Sequence, residues 1–234
     1  MQPPRFTFED VKYTDDSATF ERAEALYRKG SVKNIHEIGF GRNIGYRAVV
    51  QSTQPYEVEI NSRHVDQGDC TCYMGQHDML CKHMLALALA VLDATVGLTS
   101  PPPATDLLEA QQRVNEGMAK LRAYTGPSKV WFSYQRTLAT GVGIIADAVS
   151  ELPPSKENAD YLWKLVLRLS KKLATGGIDD SDGVVGDCIR TLVEQLGTYA
   201  KEKPELKPII TRYCQDDTGF GFEEDLREVV LGPS

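Results

Sequence analysis

The sequence predicts an α+β protein in two parts. A small metal-binding module of short antiparallel strands and helices comes first, followed by an all-α region that forms a helical bundle or a short helical array. Three observations predict this. Cys70, Cys72, Cys81 and His83 fall within 14 residues. The text just before them alternates apolar and polar residues, as a half-buried strand does. Beyond a proline-rich break at residues 99–104, apolar residues recur at three- and four-residue spacing almost to the end.

The four metal ligands constrain the chain most. Cys-x-Cys, eight intervening residues and Cys-x-His supply three thiolates and one imidazole. That is a complete tetrahedral set for one structural zinc ion, and it leaves no open position for water or substrate. The pattern therefore points to a binding module rather than to metal catalysis, and no enzyme is expected.

Local patterns say how the ligands are carried. Tyr56-Glu57-Val58-Glu59-Ile60 alternates with period two, which predicts a strand before the site. The run from Met84 to Leu92 is alanine- and leucine-rich and predicts a helix after it. A strand or hairpin carrying Cys70 and Cys72 points both sulfurs to one side, since residues two apart in a strand share a face. On a regular helix Cys81 and His83 would diverge by about 200°. They converge only if Cys81 sits before or at the helix cap, which the short polar loop Gly75-Gln76-His77-Asp78 permits.

With strands before it and an apolar helix after it, this ligand pattern resembles the SWIM zinc finger. Glu21 to Val32, with Gly30 near its end, resembles the opening helix of that family. Ile35 to Phe40, Gly45 to Gln51 and Tyr56 to Ile60 then follow as three candidate strands, so the resemblance covers roughly residues 20 to 95. It implies a role in DNA binding or protein interaction, without enzymatic activity in the module itself.

The remaining chain divides readily. Residues 1–98 are expected to form the zinc module, 99–104 a stiff proline linker, and 105–234 the helical domain. Helices are expected over Thr105 to Ala123 (capped by Thr105 or Asp106), Ser133 to Leu152, Glu157 to Thr175 and Asp182 to Glu202. Shorter ones are expected at Pro204 to Tyr213 and Phe222 to Val230.

Charge restricts the partners. The chain of 234 residues carries a formal net charge of −7. Residues 1–98 hold 10 basic and 13 acidic residues, and the rest hold 16 and 20, so neither part is basic. Strong nucleic-acid binding needs clustered Lys and Arg. The candidate contacts for nucleic acid or a partner are Arg22, Arg28, Lys29, Lys33, Arg42, Arg47 and Arg63, all in the zinc module.

Other features take plainer readings. Ile178-Asp179-Asp180-Ser181-Asp182-Gly183 clusters carboxylates before a glycine, but Ile178 and Ile189 stand where an EF-hand loop needs acidic ligands. A helix cap from Ser181 or Asp182 is expected instead. Trp131-Phe132-Ser133-Tyr134 is expected to pack in a core or dock between domains, His77 to face water, and Cys188 and Cys214 to be packing thiols. Met1 to Asp16 holds no apolar core of signal-peptide length. No stretch approaches the roughly 18 apolar residues of a membrane span. Five cysteines, three of them in a metal pattern, suit the reducing cytoplasm.

The expected function is that of a non-enzymatic, zinc-binding protein-interaction adaptor in a DNA-handling assembly, with a protein partner and no membrane. A second reading stays open, in which the module grips nucleic acid directly through the basic residues named above. Weak or partner-assisted contact is compatible with the charge.

Overall fold

A computed structural model describes residues 1–15, 17–40, 43–98, 104 and 106–232. Arg42, residues 99–103 of the expected linker and the candidate cap Thr105 lie outside the described residues. The chain divides into two compact units, Met1–Pro101 and Pro102–Ser234.

The first unit is built on one helix and one sheet. Two helices, α1 (Phe8–Lys12) and α2 (Ser17–Arg28), precede four strands, β1 (Val32–Phe40), β2 (Asn43–Gln51), β3 (Pro55–Asn61) and β4 (Gly68–Cys70). The strands pair antiparallel in chain order. Helix α3 (Lys82–Thr95) follows, and it packs against all four strands and against α1 and α2. That double coverage explains its composition, because a helix apolar on every side must be enclosed on every side. Every residue from His83 to Leu92 is buried.

Period-two alternation assigns the sheet faces. Tyr46, Ala48 and Val50 of β2 and Val58 and Ile60 of β3 are buried in one core with α3, whereas Glu57 and Arg47 are exposed. Strand β1 starts three residues earlier than expected and is bulged. Lys33 pairs Val49 but His36 pairs Arg47, so two residues, Asn34 and Ile35, oppose Ala48 alone. Asn34 takes a left-handed conformation (φ +56°), which asparagine tolerates better than most residues.

The second unit is helical: α4 (Leu107–Lys120), α5 (Trp131–Ser150), α6 (Lys156–Thr175), α7 (Val184–Glu202), α8 (Lys207–Tyr213) and α9 (Phe222–Leu231). Helix α7 packs against α5, α6, α8 and α9. One helix shared by so many partners makes a bundle, because in a linear array each repeat touches only its neighbours. Its buried stripe, Val185, Ile189, Leu192, Val193 and Leu196, repeats at helical spacing. Helices α4 and α5 approach through glycines. A β-carbon on Gly117 would stand 2.5 Å from the Gly141 carbonyl oxygen, and one on Gly141 would stand 2.8 Å from the Gly117 carbonyl oxygen.

Helix caps refine the expectations. Asp106 caps α4 by accepting from the Glu109 amide, and Ser155 caps α6 by accepting from the Asn158 amide. At α7 neither Ser181 nor Asp182 caps. The Asp180 carboxylate accepts from the amides of Val185 and Gly186 at 2.9 and 3.1 Å, with Gly183 in the left-handed conformation before the helix. A carboxylate at that end also meets the positive pole of the helix dipole.

The aromatic knot splits. Trp131 donates to the Asp179 carboxylate at 2.9 Å, Tyr134 packs on Tyr124, and Phe132 is exposed rather than in a core. Cys188 and Cys214 are buried. Burial pushes the Cys188 thiol up to about 12, so it stays protonated and inert. Among the described residues, no helix is long and apolar enough to cross a membrane.

Candidate metal centre

Three elements deliver the four ligands to one point. Cys70 ends β4 and pairs with Val58, so its side chain turns to the inner face of the sheet. Cys72 lies beyond the strand, in the turn that follows it. Of the strand or hairpin expected to carry both cysteines, a single strand holding the pair is therefore not what forms. The pairing with β3 ends as the Thr71 amide reaches the Glu57 carbonyl oxygen at 3.1 Å, and the chain then bends, bringing Cys72 round by a turn instead of by strand alternation.

Cys81 is the N-cap of α3, with extended backbone angles (φ −138°, ψ 159°). That break in helical geometry brings it together with His83, in the first turn. His83 Nδ1 stands 3.7 Å from Cys70 Sγ and 3.9 Å from Cys81 Sγ. A tetrahedral ion with the usual Zn–S and Zn–N bond lengths needs about 3.6 Å between sulfur and nitrogen. All four ligand atoms lie within 4.8 Å of one another, and all four residues are buried. The residues present fit zinc.

The electrostatics favour thiolate at the cap. Hydrogen bonding with Cys70 holds the Cys81 thiol down to about 4, helped by His83 and the Met84 amide and opposed by burial. The same sulfur–sulfur hydrogen bond, with burial, pushes Cys70 up, since two adjacent sulfurs resist carrying two charges without a cation between them. A divalent ion removes that conflict and leaves one net negative charge over three thiolates. The Gly75 amide donates to Cys72 Sγ at 3.4 Å. Tyr56, on the inner face of β3, stacks on His83 with ring centroids 4.4 Å apart. Neither contact was evident from spacing alone, although the period-two pattern that buries Val58 and Ile60 also turns Tyr56 inward.

Between Cys72 and Cys81 the chain forms a short loop containing one 3-10 turn, Gly75–His77. His77 is exposed there, its ring against Tyr73, and its Nδ1 lies 2.7 Å from the Tyr73 carbonyl oxygen. It takes no part in the ligand set. Tyr73 is 72% exposed, and Met74 and Met79 are each 41% exposed.

The candidate contact cations do not form a stripe on one element. Arg22 and Arg28 lie on α2, Lys29 just after it, Lys33 on β1, Arg47 on β2 and Arg63 between β3 and β4. All six are exposed. Arg28 pairs with Glu24 at 2.8 Å, and Arg47 bonds Glu59 through Nε at 2.6 Å. Arg22 reaches the Ala18 carbonyl and the Thr19 hydroxyl of its own helix.

A buried Cys3His quartet spread over a strand end, a turn and a helix cap defines the class: a structural zinc finger. A family model for the SWIM zinc finger matches residues 56–92, a span that holds all four ligands, β4 and most of β3 and α3. The chain thus carries a SWIM zinc finger with a site for one structural zinc ion. No curated protein and no solved structure matches the chain.

Proposed function

We propose that this chain is a non-enzymatic adaptor whose zinc finger presents a rigid protein-binding loop, within a cytoplasmic assembly that handles DNA. The observation that carries this reading is the exposed set Tyr73, Met74 and Met79, held on an eight-residue span bounded by two zinc ligands. Large apolar side chains on a loop ordinarily cost nothing to replace by polar ones. Anchored at both ends by a metal, they offer contact area with little ordering entropy left to lose on binding. Methionine adapts its shape to a partner, and tyrosine is enriched at interaction hot spots.

Three observations support the rest. Four buried protein ligands leave the ion no position for substrate, which argues against catalysis there. Five free cysteines suit a reducing compartment. The pairing of Arg28 and Arg47 with carboxylates lowers the positive field that direct phosphate binding needs.

The test compares the wild type with Tyr73→Ser/Met79→Ser in two experiments. Capture from the source organism's extract should recover a partner with the wild type and lose it with the loop variant, while zinc content stays equal. Titration with duplex and single-stranded DNA at two salt concentrations should give no saturable signal. Saturable binding that falls steeply with salt would replace the adaptor reading with direct nucleic-acid binding through Arg22, Lys29, Lys33 and Arg63.

A further inference from the structure

Four ligands in a buried cluster need other groups to hold them in register, and metal-bound histidines usually get this from an acceptor on the far ring nitrogen. His83 lacks one. Its Nδ1 faces the sulfurs, and its Nε2 is buried with no hydrogen-bond partner among the described residues. What touches the ring instead is Tyr56, stacked at 24° between the planes. The Tyr56 hydroxyl points away to Thr53 Oγ1 at 3.0 Å, so the contact with the imidazole is made by the ring face.

Beside Cys70 and Cys72 the limiting residue is Gly75. A β-carbon there would stand 2.2 Å from the Cys70 carbonyl oxygen and 2.6 Å from Cys70 Cβ. Real β-carbons do not approach backbone that closely. Gly75 does not take a positive φ, so the requirement is for space and not for an unusual backbone angle. Only a residue without a side chain lets the loop settle against Cys70, and that seating is what aims the Gly75 amide at Cys72 Sγ. An N–H donor on a metal-bound thiolate draws charge off the sulfur and fixes its direction.

We propose that Gly75 and Tyr56 are positioning residues of the zinc centre, Gly75 for Cys72 and Tyr56 for His83. The assignment rests on the four-ligand zinc site and extends it to a backbone amide and an aromatic face. Neither group binds the ion. Each sets the geometry of one ligand, and the two ligands so controlled come from the turn and the helix, the elements whose placement the short strand β4 does not govern.

The test uses the full chain. Zinc affinity is measured by competition with a chromophoric chelator, and ligand geometry by the electronic spectrum of the cobalt(II)-loaded protein. Gly75→Ala and Tyr56→Leu should each weaken zinc binding by about tenfold to a hundredfold, with shifted thiolate-to-cobalt or ligand-field bands. Tyr56→Phe keeps the stack and should restore wild-type affinity and spectrum. Wild-type affinity and spectrum in both Gly75→Ala and Tyr56→Leu overturn the proposal. A Tyr56→Phe loss equal to that of Tyr56→Leu overturns the stacking role. If Gly75→Ala does not fold, the decision passes to the wild type loaded with NMR-active cadmium. Scalar coupling between the metal and the Gly75 amide proton supports the role, and a freely exchanging, uncoupled amide refutes it. A wild type that binds no zinc would sink the site itself, a different result from variants that bind as the wild type does.

Discussion

The two units of this chain bury apolar surface by different means. In the unit Met1–Pro101, α3 is apolar on all sides and must be wrapped, yet β4, the strand that leads to it, is three residues long. In the unit Pro102–Ser234, amphipathic helices close on one another, with α7 shared among four partners, and no metal cluster occurs among its described residues. The difference teaches where the ion matters. It joins the end of β4, the turn and the cap of α3, and so supplies the cross-link that a longer strand would otherwise provide. Structural zinc binding is worth about 10–16 kcal/mol, whereas a domain's net stability is about 5–15 kcal/mol. The first fold is therefore expected to depend on the metal, and the second is expected not to.

The largest effect that could break this contrast is loss of a ligand. Cys81→Ser should release the zinc and unfold the first unit, at a cost on the order of that unit's whole stability. Both tryptophans, Trp131 and Trp163, lie in the second unit, so its fluorescence melt should stay in place. A retained metal and an unchanged circular dichroism melt would rule out Cys81 as a ligand. Next come cavities. Leu85→Ala and Leu162→Ala each empty a fully buried site and should cost about 2–5 kcal/mol. Leu85→Ala should lower zinc retention with the first melt, and Leu162→Ala only the tryptophan-reported melt. Transfer of either effect to the other unit would show that the two are not independent.

Smaller changes sharpen the picture of the metal-free unit. Gly141→Ala forces a methyl against the Gly117 carbonyl and should cost about 1–3 kcal/mol in the tryptophan-reported melt, with zinc affinity unchanged. The smallest effect concerns Asp160, which accepts from Lys156 and from the Tyr213 hydroxyl. Burial raises its carboxyl, but these bonds outweigh it and hold the group below the usual carboxylate range. A lowered folded value means stability that is fully present above the ordinary carboxylate pKa and is lost as pH falls through the folded one. Tyr213→Phe should cost about 1 kcal/mol at neutral pH, in denaturant titrations, and progressively less in acid.

How much the sequence disclosed follows from how local each signal is. Cys70, Cys72, Cys81 and His83 were readable because zinc demands a fixed number of a few residue types at short spacing. The helices of the second unit were readable from apolar period, and their observed ends fall within three residues of the expected ones. The turn that carries Cys72 was not, because nothing in Gly68 to Cys72 says where pairing with β3 stops. Helix α1 is five residues long, too short for periodicity, and is marked only by the Thr7–Asp10 capping box. The bulge at Asn34 and the Gly117–Gly141 contact depend on partners distant in the chain. Gly75 and Tyr56 act through the same kind of contact, visible only once loop, strand and helix are together.

The most direct test of the central claim is zinc content and two-signal thermal unfolding of the full chain, before and after treatment with a strong chelator. The account predicts one zinc per chain. It also predicts that removing the ion abolishes the transition of the first unit while the tryptophan-reported transition of the second persists. A metal-free protein that keeps both transitions at their original temperatures would contradict it.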